Sequence, residues 1–201
     1  MRTTIPAAAA ALLLTVAGVA PSSRLDAQQV DLCWLGDATP SEAAERPSPI
    51  GVVAISLGDV EATLCYSRPA ARGRTIMGEL VPFGEPWRLG ANEAASLHLP
   101  AAATIGSVAL EPGTYSIYAV PGPEQWEFVV NRSWRRNGAP IDDAVRAADV
   151  GSFIRSVSVA DNMVESFTIR WEAHGETMGH LVMEWEFTRV EVPVHRTGMQ
   201  R

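Results

Sequence analysis

From Ile50 to Val194 the chain alternates apolar and polar residues in short runs broken by glycine and proline. Ile50–Leu57 reads as a strand, and Gly58-Asp59 supplies a hairpin turn. Val60, Ala62, Leu64 and Tyr66 then alternate with Glu61, Thr63, Cys65 and Ser67, which puts Cys65 on the outward face. Ala95, Leu97 and Leu99 alternate with Ser96 and His98, so His98 is expected on a solvated or groove-facing side. Residues 105–110 form another strand, closed by Glu111-Pro112-Gly113, a sequence that suits a type II turn. Residues 115–120 answer it, Pro121-Gly122-Pro123 breaks it, and residues 126–130 follow.

Residues 132–150 hold the one helical candidate, a short helix starting at Pro140-Ile141-Asp142-Asp143 and running through Ala148. Strands then resume. Phe153, Arg155, Val157 and Val159 alternate with smaller residues, and Phe167, Ile169 and Trp171 share one face. Beyond a hairpin tip at His174-Gly175, Leu181, Met183, Trp185 and Phe187 share another. After Phe187 the apolar parity moves to Val190, Val192 and Val194, which predicts a bulge near Thr188-Arg189 or a strand crossing between sheets. About nine short strands between Gly/Pro turns define an all-β fold, an antiparallel β-sandwich.

One long stretch has neither period. Residues 66–94 carry Arg68, Arg72, Arg74 and Arg88 among glycines and prolines, between one strand and the next. A long irregular connection is either functional or a rigid plug over one end of a sheet.

The N-terminal end changes the picture of where the protein works. Arg2 precedes an apolar run over residues 7–20, too short for a comfortable membrane span, and Leu25-Asp26-Ala27 gives a cleavage context. Residues 1–27 are therefore expected to be a signal peptide, 28–47 an irregular lead-in, and 48–201 a single domain. The mature chain is expected to be exported, to the periplasm or the medium, without a membrane span. Setting the leader aside removes two arginines and one aspartate and takes the formal charge from −7 to about −8. All 16 basic residues are arginine. So acidic a surface repels nucleic acid and anionic lipid and excludes both as partners. Cys33 and Cys65 are the two cysteines. Export and an even count favour a disulfide, the alternative being two free buried thiols.

The order of motifs adds a resemblance. Tyr66-Ser67-Arg68-Pro69, Gly73-Arg74, Leu80-Val81-Pro82, Trp87-Arg88 and Gly90-Ala91-Asn92-Glu93 are followed by Gly113-Thr114-Tyr115-Ser116 and by Glu184-Trp185-Glu186. This run resembles the bacterial exported family called domain of unknown function 2911, over about residues 48–194. The resemblance implies an all-β exported domain and brings no activity, cofactor or catalytic residue with it. Cys65 and residues 132–150 depart from the family pattern.

Candidate chemistry concentrates in the central stretch. Arg68, Arg72 and Arg74 can hold a carboxylate, sulfate or phosphate, with Tyr66 or Trp87 as a stacking face for a sugar acid. Equally, they can bond loop carbonyls or pair with Glu79, Glu85 or Glu93. Arg88, Asn92 and Glu93 form a sharper group. Glu93 can serve as a general acid or base with Arg88 holding a substrate, or as a buried ion pair beside a turn-forming asparagine. On the structural reading Glu93 is buried against an arginine of this stretch, with Arg88, Arg74 and Arg68 the partners in that order. The histidines His98, His174, His180 and His195 lack metal-ligand spacing, although His174 and His180 flank one hairpin. No metal and no cofactor is expected. The expected function is a non-enzymatic module that binds a small anionic or carbohydrate-like molecule or a partner protein of the envelope. The alternatives are a hydrolase or lyase, and a purely structural interaction module.

Overall fold

The computed structural model describes residues 29–197. The expected leader and its cleavage context at Ala27 lie outside the described residues. Nine strands form one continuous antiparallel arrangement: β1 (Ile50–Leu57), β2 (Val60–Ser67), β3 (Ala95–Leu99), β4 (Ala103–Ile105), β5 (Val108–Leu110), β6 (Gly113–Pro121), β7 (Gln125–Asn131), β8 (Asp149–Ala173) and β9 (Met178–Arg196). Two short helices, α1 (Pro40–Glu45) and α2 (Asp143–Arg146), lie within the described residues, and Gln29 and Val30 are helical as well. The strand order across the sheet is β1-β2-β3-β6-β7-β8-β9-β4-β5. The fold is all-β and sandwich-like.

Two long strands make the second layer. The first part of β8 pairs with β7 through Ser156, and from Val157 onward β8 pairs with β9. Residues 149–173 are one strand, which continues through Asp161-Asn162 where the pairing with β9 shifts register between Val159 and Val164. The far end of β9 then pairs with β4. The inward residues of both layers close on one core that includes Leu64, Leu97, Ile117, Phe128, Phe167, Met183, Trp185 and Val192. Each such side chain contributes about 1.5–3 kcal/mol by leaving water.

Three local expectations need correction. Residues 105–110 are not one strand, because Gly106 takes a left-handed φ of 61° and turns the chain between β4 and β5. A Cβ there would also meet the Phe153 ring at 2.3 Å. The parity slip in β9 comes earlier than Thr188-Arg189. Glu186 has φ 50°, and the pairing steps from Val159↔Thr188 to Val164↔Glu186. Phe187 is consequently 58% exposed and does not share the face of Trp185. The helix expected through Ala148 ends at Arg146, with Asp142 as its N-cap accepting from the Val145 N–H.

The outer face of the first layer is covered twice, and this positions the site. Over β1 and β2 lies the lead-in, which is ordered. Its helix α1 starts with a capping box between Thr39 and Glu42 and with Pro40 in the first turn. The Cys33–Cys65 disulfide ties the lead-in to β2, with Cα atoms 5.7 Å apart, so the bridge of the two sequence alternatives is the one formed. Cys33, Cys65, Leu35 and Ala43 make a small apolar cluster separate from the main core.

Over β3, β6 and β7 lies the segment of residues 132–148. Ser116 Oγ donates to the Ser133 carbonyl, and Asn131 Nδ2 donates to the Val145 carbonyl and to Asp149. Tyr118, fully buried, donates its hydroxyl to Asp149 at 2.9 Å. Burial and the neighbouring Asp149 carboxylate push its phenol above the ordinary tyrosine range. This cover also explains His98. It does face outward, but it is buried between Ser96 and Thr114 hydroxyls at 3.2 and 3.0 Å, with Trp134 edge-on against its ring. Burial pushes its imidazole below the usual histidine range.

Candidate functional site

The connection after β2 is a plug. Ala71, Ile76, Val81 and Leu89 sit in the main core, and Trp87 joins it. Trp87 stacks on Trp185 and meets Trp126 and Phe167 edge-on, while its backbone exchanges two hydrogen bonds with Ala119. Arg72, Leu89 and Asn92 all hold left-handed φ values, 52°, 57° and 55°. Such residues persist only where packing over-determines them. The Glu186 bulge belongs to the same construction, because its carboxylate accepts the Ile76 N–H at 3.0 Å.

The arginines mostly serve this plug. Arg74 donates to the Ala71 and Ala70 carbonyls at 2.9 and 2.8 Å, and Arg72 to the Pro47 carbonyl at 2.8 Å. Arg68 reaches Thr168 at 3.4 Å and keeps a buried Nε without a partner. Tyr66 faces inward, where its hydroxyl accepts the Ile169 N–H at 2.8 Å, and burial raises its phenol pKa. Neither Tyr66 nor Trp87 presents an open stacking face. Asn92 forms the expected turn and donates to the Ser48 carbonyl and the Ser67 hydroxyl.

Glu93 stands at the junction of the plug with β3. It is 9% exposed, as expected of a buried carboxylate. Its partner, however, is Arg46 of the lead-in, at 2.7 Å, and not Arg88, Arg74 or Arg68. The disulfide and α1 bring the lead-in across the outer face, so a residue 47 positions away in sequence gets there first. Arg46 also donates to the Leu35 carbonyl at 3.3 Å. Glu93 Oε2 is buried and has no hydrogen-bond partner.

Around this pair the two covers of the outer face meet. Asn92 and Glu93 pair with the second cover through a bridge between Glu93 and Asn137, and the Gly138 N–H donates to the Asn92 carbonyl at 2.8 Å. Between the covers opens a cavity of about 500 Å³, walled by Trp34, Gly36, Asp37, Glu42, Arg46, Glu93 and Asn137 with Leu35 and Ala38. Gly36 turns the lead-in here with φ 63°, close over Glu93, where a Cβ would stand 3.7 Å from Oε1.

Of the residues anticipated from sequence, Glu93 alone lines this cavity. Trp87 and Arg88 line a smaller one of about 180 Å³ with Glu85, Gly138 and Ile141, and Arg88 Nε is buried there without a partner. Sequence reasoning missed Trp34, Asp37, Arg46 and Asn137. The signal that the lead-in is built was the Thr39-x-x-Glu42 capping box together with Cys33.

Other polar clusters are self-contained. Arg170, Glu172, Glu184, Arg189, Glu191 and His180 form an ion-pair network on β8 and β9. His174 and His180 do approach, with ring centroids 4.5 Å apart. No group of three or more potential metal ligands comes together among the described residues. No helix among them is long and apolar enough to cross a membrane.

Comparison with known proteins places this architecture. The family model described as Protein of unknown function (DUF2911) matches residues 48–194, and the chain belongs to that family. Neither the curated proteins nor the solved structures yield a match.

Proposed function

We propose that this member of the DUF2911 family is an exported, non-enzymatic binding module that holds a small carbohydrate-like ligand between the lead-in and the segment of residues 132–148. The observation that carries the reading is the open cavity of about 500 Å³ between the two covers, which has an aromatic ring, an amide and a fixed ion pair in one wall. Glu93, paired to Arg46 at 2.7 Å, gives that wall a rigid polar floor. Trp34, half-exposed in the same wall, offers a face for a sugar ring, and Asn137 offers both a donor and an acceptor. The small cavity of Trp87 and Arg88 has less room, and the arginines of the plug spend donors on their own loop. An anionic ligand at Arg68, Arg72 and Arg74 therefore draws less support. The hydrolytic alternative is weakened in the same way, because Arg88 and Glu93 line different cavities. Export is supported by the disulfide and by the apolar run of residues 7–20.

The test is a thermal-shift panel of neutral mono- and disaccharides on the oxidised protein and on Trp34→Ala. At least one sugar should raise the melting temperature of the wild type and lose that effect in the variant, since a ligand stabilises the state that binds it. A panel without any shift, or a shift that survives Trp34→Ala in full, overturns the reading.

A further inference from the structure

Arg88 is the exception among the arginines of the plug. Its side chain is half-buried in the wall of the smaller cavity, of about 180 Å³. Every other half-buried arginine among the described residues donates to a carboxylate, a carbonyl or a hydroxyl. Arg88 donates to none of them. Its Nε is enclosed without an acceptor and is closed to any ligand. Nη1 and Nη2 are not enclosed, and they are the donors left to meet a partner from outside.

A guanidinium on an open surface is satisfied by water and indicates no ligand. Three features set Arg88 apart. Its stem lies against Gly138, where an added Cβ would stand 2.8 Å from Arg88 Cβ and closer still to Cδ, so the second cover holds it in place. One of its nitrogens has lost water without gaining an acceptor, so the charge of the group rests on the other two. The rest of the wall is largely apolar, with Leu80, Val81, Pro86 and Ile141 beside Trp87. Glu85 is the other charged residue of that wall; it is exposed and makes no ion pair with Arg88.

We propose that this cavity is a second binding site, for a small monocarboxylic acid with a compact apolar body. The carboxylate accepts from Nη1 and Nη2 as a fork, and the body lies against Leu80, Pro86 and Ile141. Room of about 180 Å³ suits a body about the size of one benzene ring. A sugar acid fits the fork but leaves its hydroxyls against apolar walls. The site shares no wall residue with the cavity of Trp34, and it stands whether or not that cavity binds sugars.

Benzoate is the probe, with benzamide as its uncharged counterpart of the same shape and acetate as the carboxylate without the ring. In a nitrogen–proton NMR titration of the oxidised full chain at neutral pH, benzoate should shift the Trp87 indole resonance and leave that of Trp34 in place. Its Kd should be about tenfold or more below those of benzamide and acetate, since the charge-assisted fork and the buried ring each contribute. Arg88→Met keeps an apolar stem on Gly138 and should abolish the preference for benzoate over benzamide. Glu85→Gln, at an exposed position where folding is not at risk, should tighten benzoate about two- to threefold by removing a nearby like charge. Equal affinity for benzoate and benzamide, a shift confined to Trp34, or undiminished benzoate binding in Arg88→Met overturns the inference, as does the absence of any benzoate shift. The wild-type comparison of benzoate with benzamide decides even if Arg88→Met does not fold.

Discussion

The disulfide offers a quantity that can be worked out in advance. Cys33 and Cys65 are 32 residues apart in sequence. In the chain-entropy model, closing a loop of that size in the unfolded state is worth about 3.5–4 kcal/mol at 25 °C. Replacing both cysteines removes that constraint. Alanine is preferable to serine, because position 65 is buried and a hydroxyl there would be left without a partner, at about 1–3 kcal/mol. The bridge does not sit in the main core: its sulfurs belong to the small cluster with Leu35 and Ala43. The sandwich should therefore still fold. The lead-in should stay docked through Arg46–Glu93 and through Gln29, which donates to Glu61. Urea unfolding of Cys33→Ala/Cys65→Ala, followed by circular dichroism and tryptophan fluorescence together, should show a loss of about 3–4 kcal/mol. The bridged unfolded state is the more compact one, so the m-value of the variant should be equal or slightly higher. An unchanged midpoint would refute the unfolded-state account. A clear fall in m would refute the docked lead-in, because it means that part of the chain has already left the native state.

Three further outcomes are expected. Arg46→Ala should destabilise more than Glu93→Ala, by about 3–5 against about 1–3 kcal/mol, since Glu93 is the deeper partner and Arg46, 25% exposed, can turn to water; chemical denaturation showing the reverse order would contradict this. Gly90→Ala should cost about 1–3 kcal/mol, because Gly90 has φ 142° and a Cβ would stand 2.6 Å from the Ser67 carbonyl oxygen; a variant melting like the wild type would count against that account. For His98 the sign follows from its lowered pKa: the unfolded chain binds the proton first, so stability is full above the unfolded value of about 6.5 and falls as the pH drops below it. His98→Gln should flatten the denaturation midpoint between about pH 7 and pH 5, and an equally steep decline in the variant would assign it to other groups.

Much of the sandwich was legible because a half-buried strand writes its faces with period two. Ala62, Leu64 and Tyr66, or Leu181, Met183 and Trp185, could be assigned inward without any partner in view. What lay on the outer face was legible only in part. Period two puts Cys65 outward, and its bridge to Cys33 points to a lead-in lying across that face, but nothing in the alternation indicates the second cover of residues 132–148, so that cover and the cavity beside it stayed hidden. The ion pair failed for a related reason. Glu93 was read as buried, correctly, but its partner was sought within the stretch, whereas Arg46 arrives through a disulfide and a capped helix. At Glu186 the alternation itself broke down. A glutamate at φ 50° is uncommon, and only its bond to the Ile76 N–H of the plug explains why the bulge falls there.

Plug and cavity divide their labour at Glu93. Leu89 and Trp87 lock the connection into the core, and Gly90 and Asn92 turn it against Ser67. Glu93 is thereby fixed relative to β3 whatever lies above it. The rest of the cavity wall comes largely from elsewhere: Trp34, Gly36, Asp37, Glu42 and Arg46 all precede residue 48, where the family match begins. The matched span thus supplies the sandwich, the plug, one anchored carboxylate and Asn137. The lead-in, attached by the disulfide, the Arg46–Glu93 pair, a few hydrogen bonds and a small apolar cluster, supplies the aromatic face and the remaining charge. On the binding reading proposed above, changes in the lead-in alter what is bound without touching the main core, whereas changes in the plug act through the placement of Glu93.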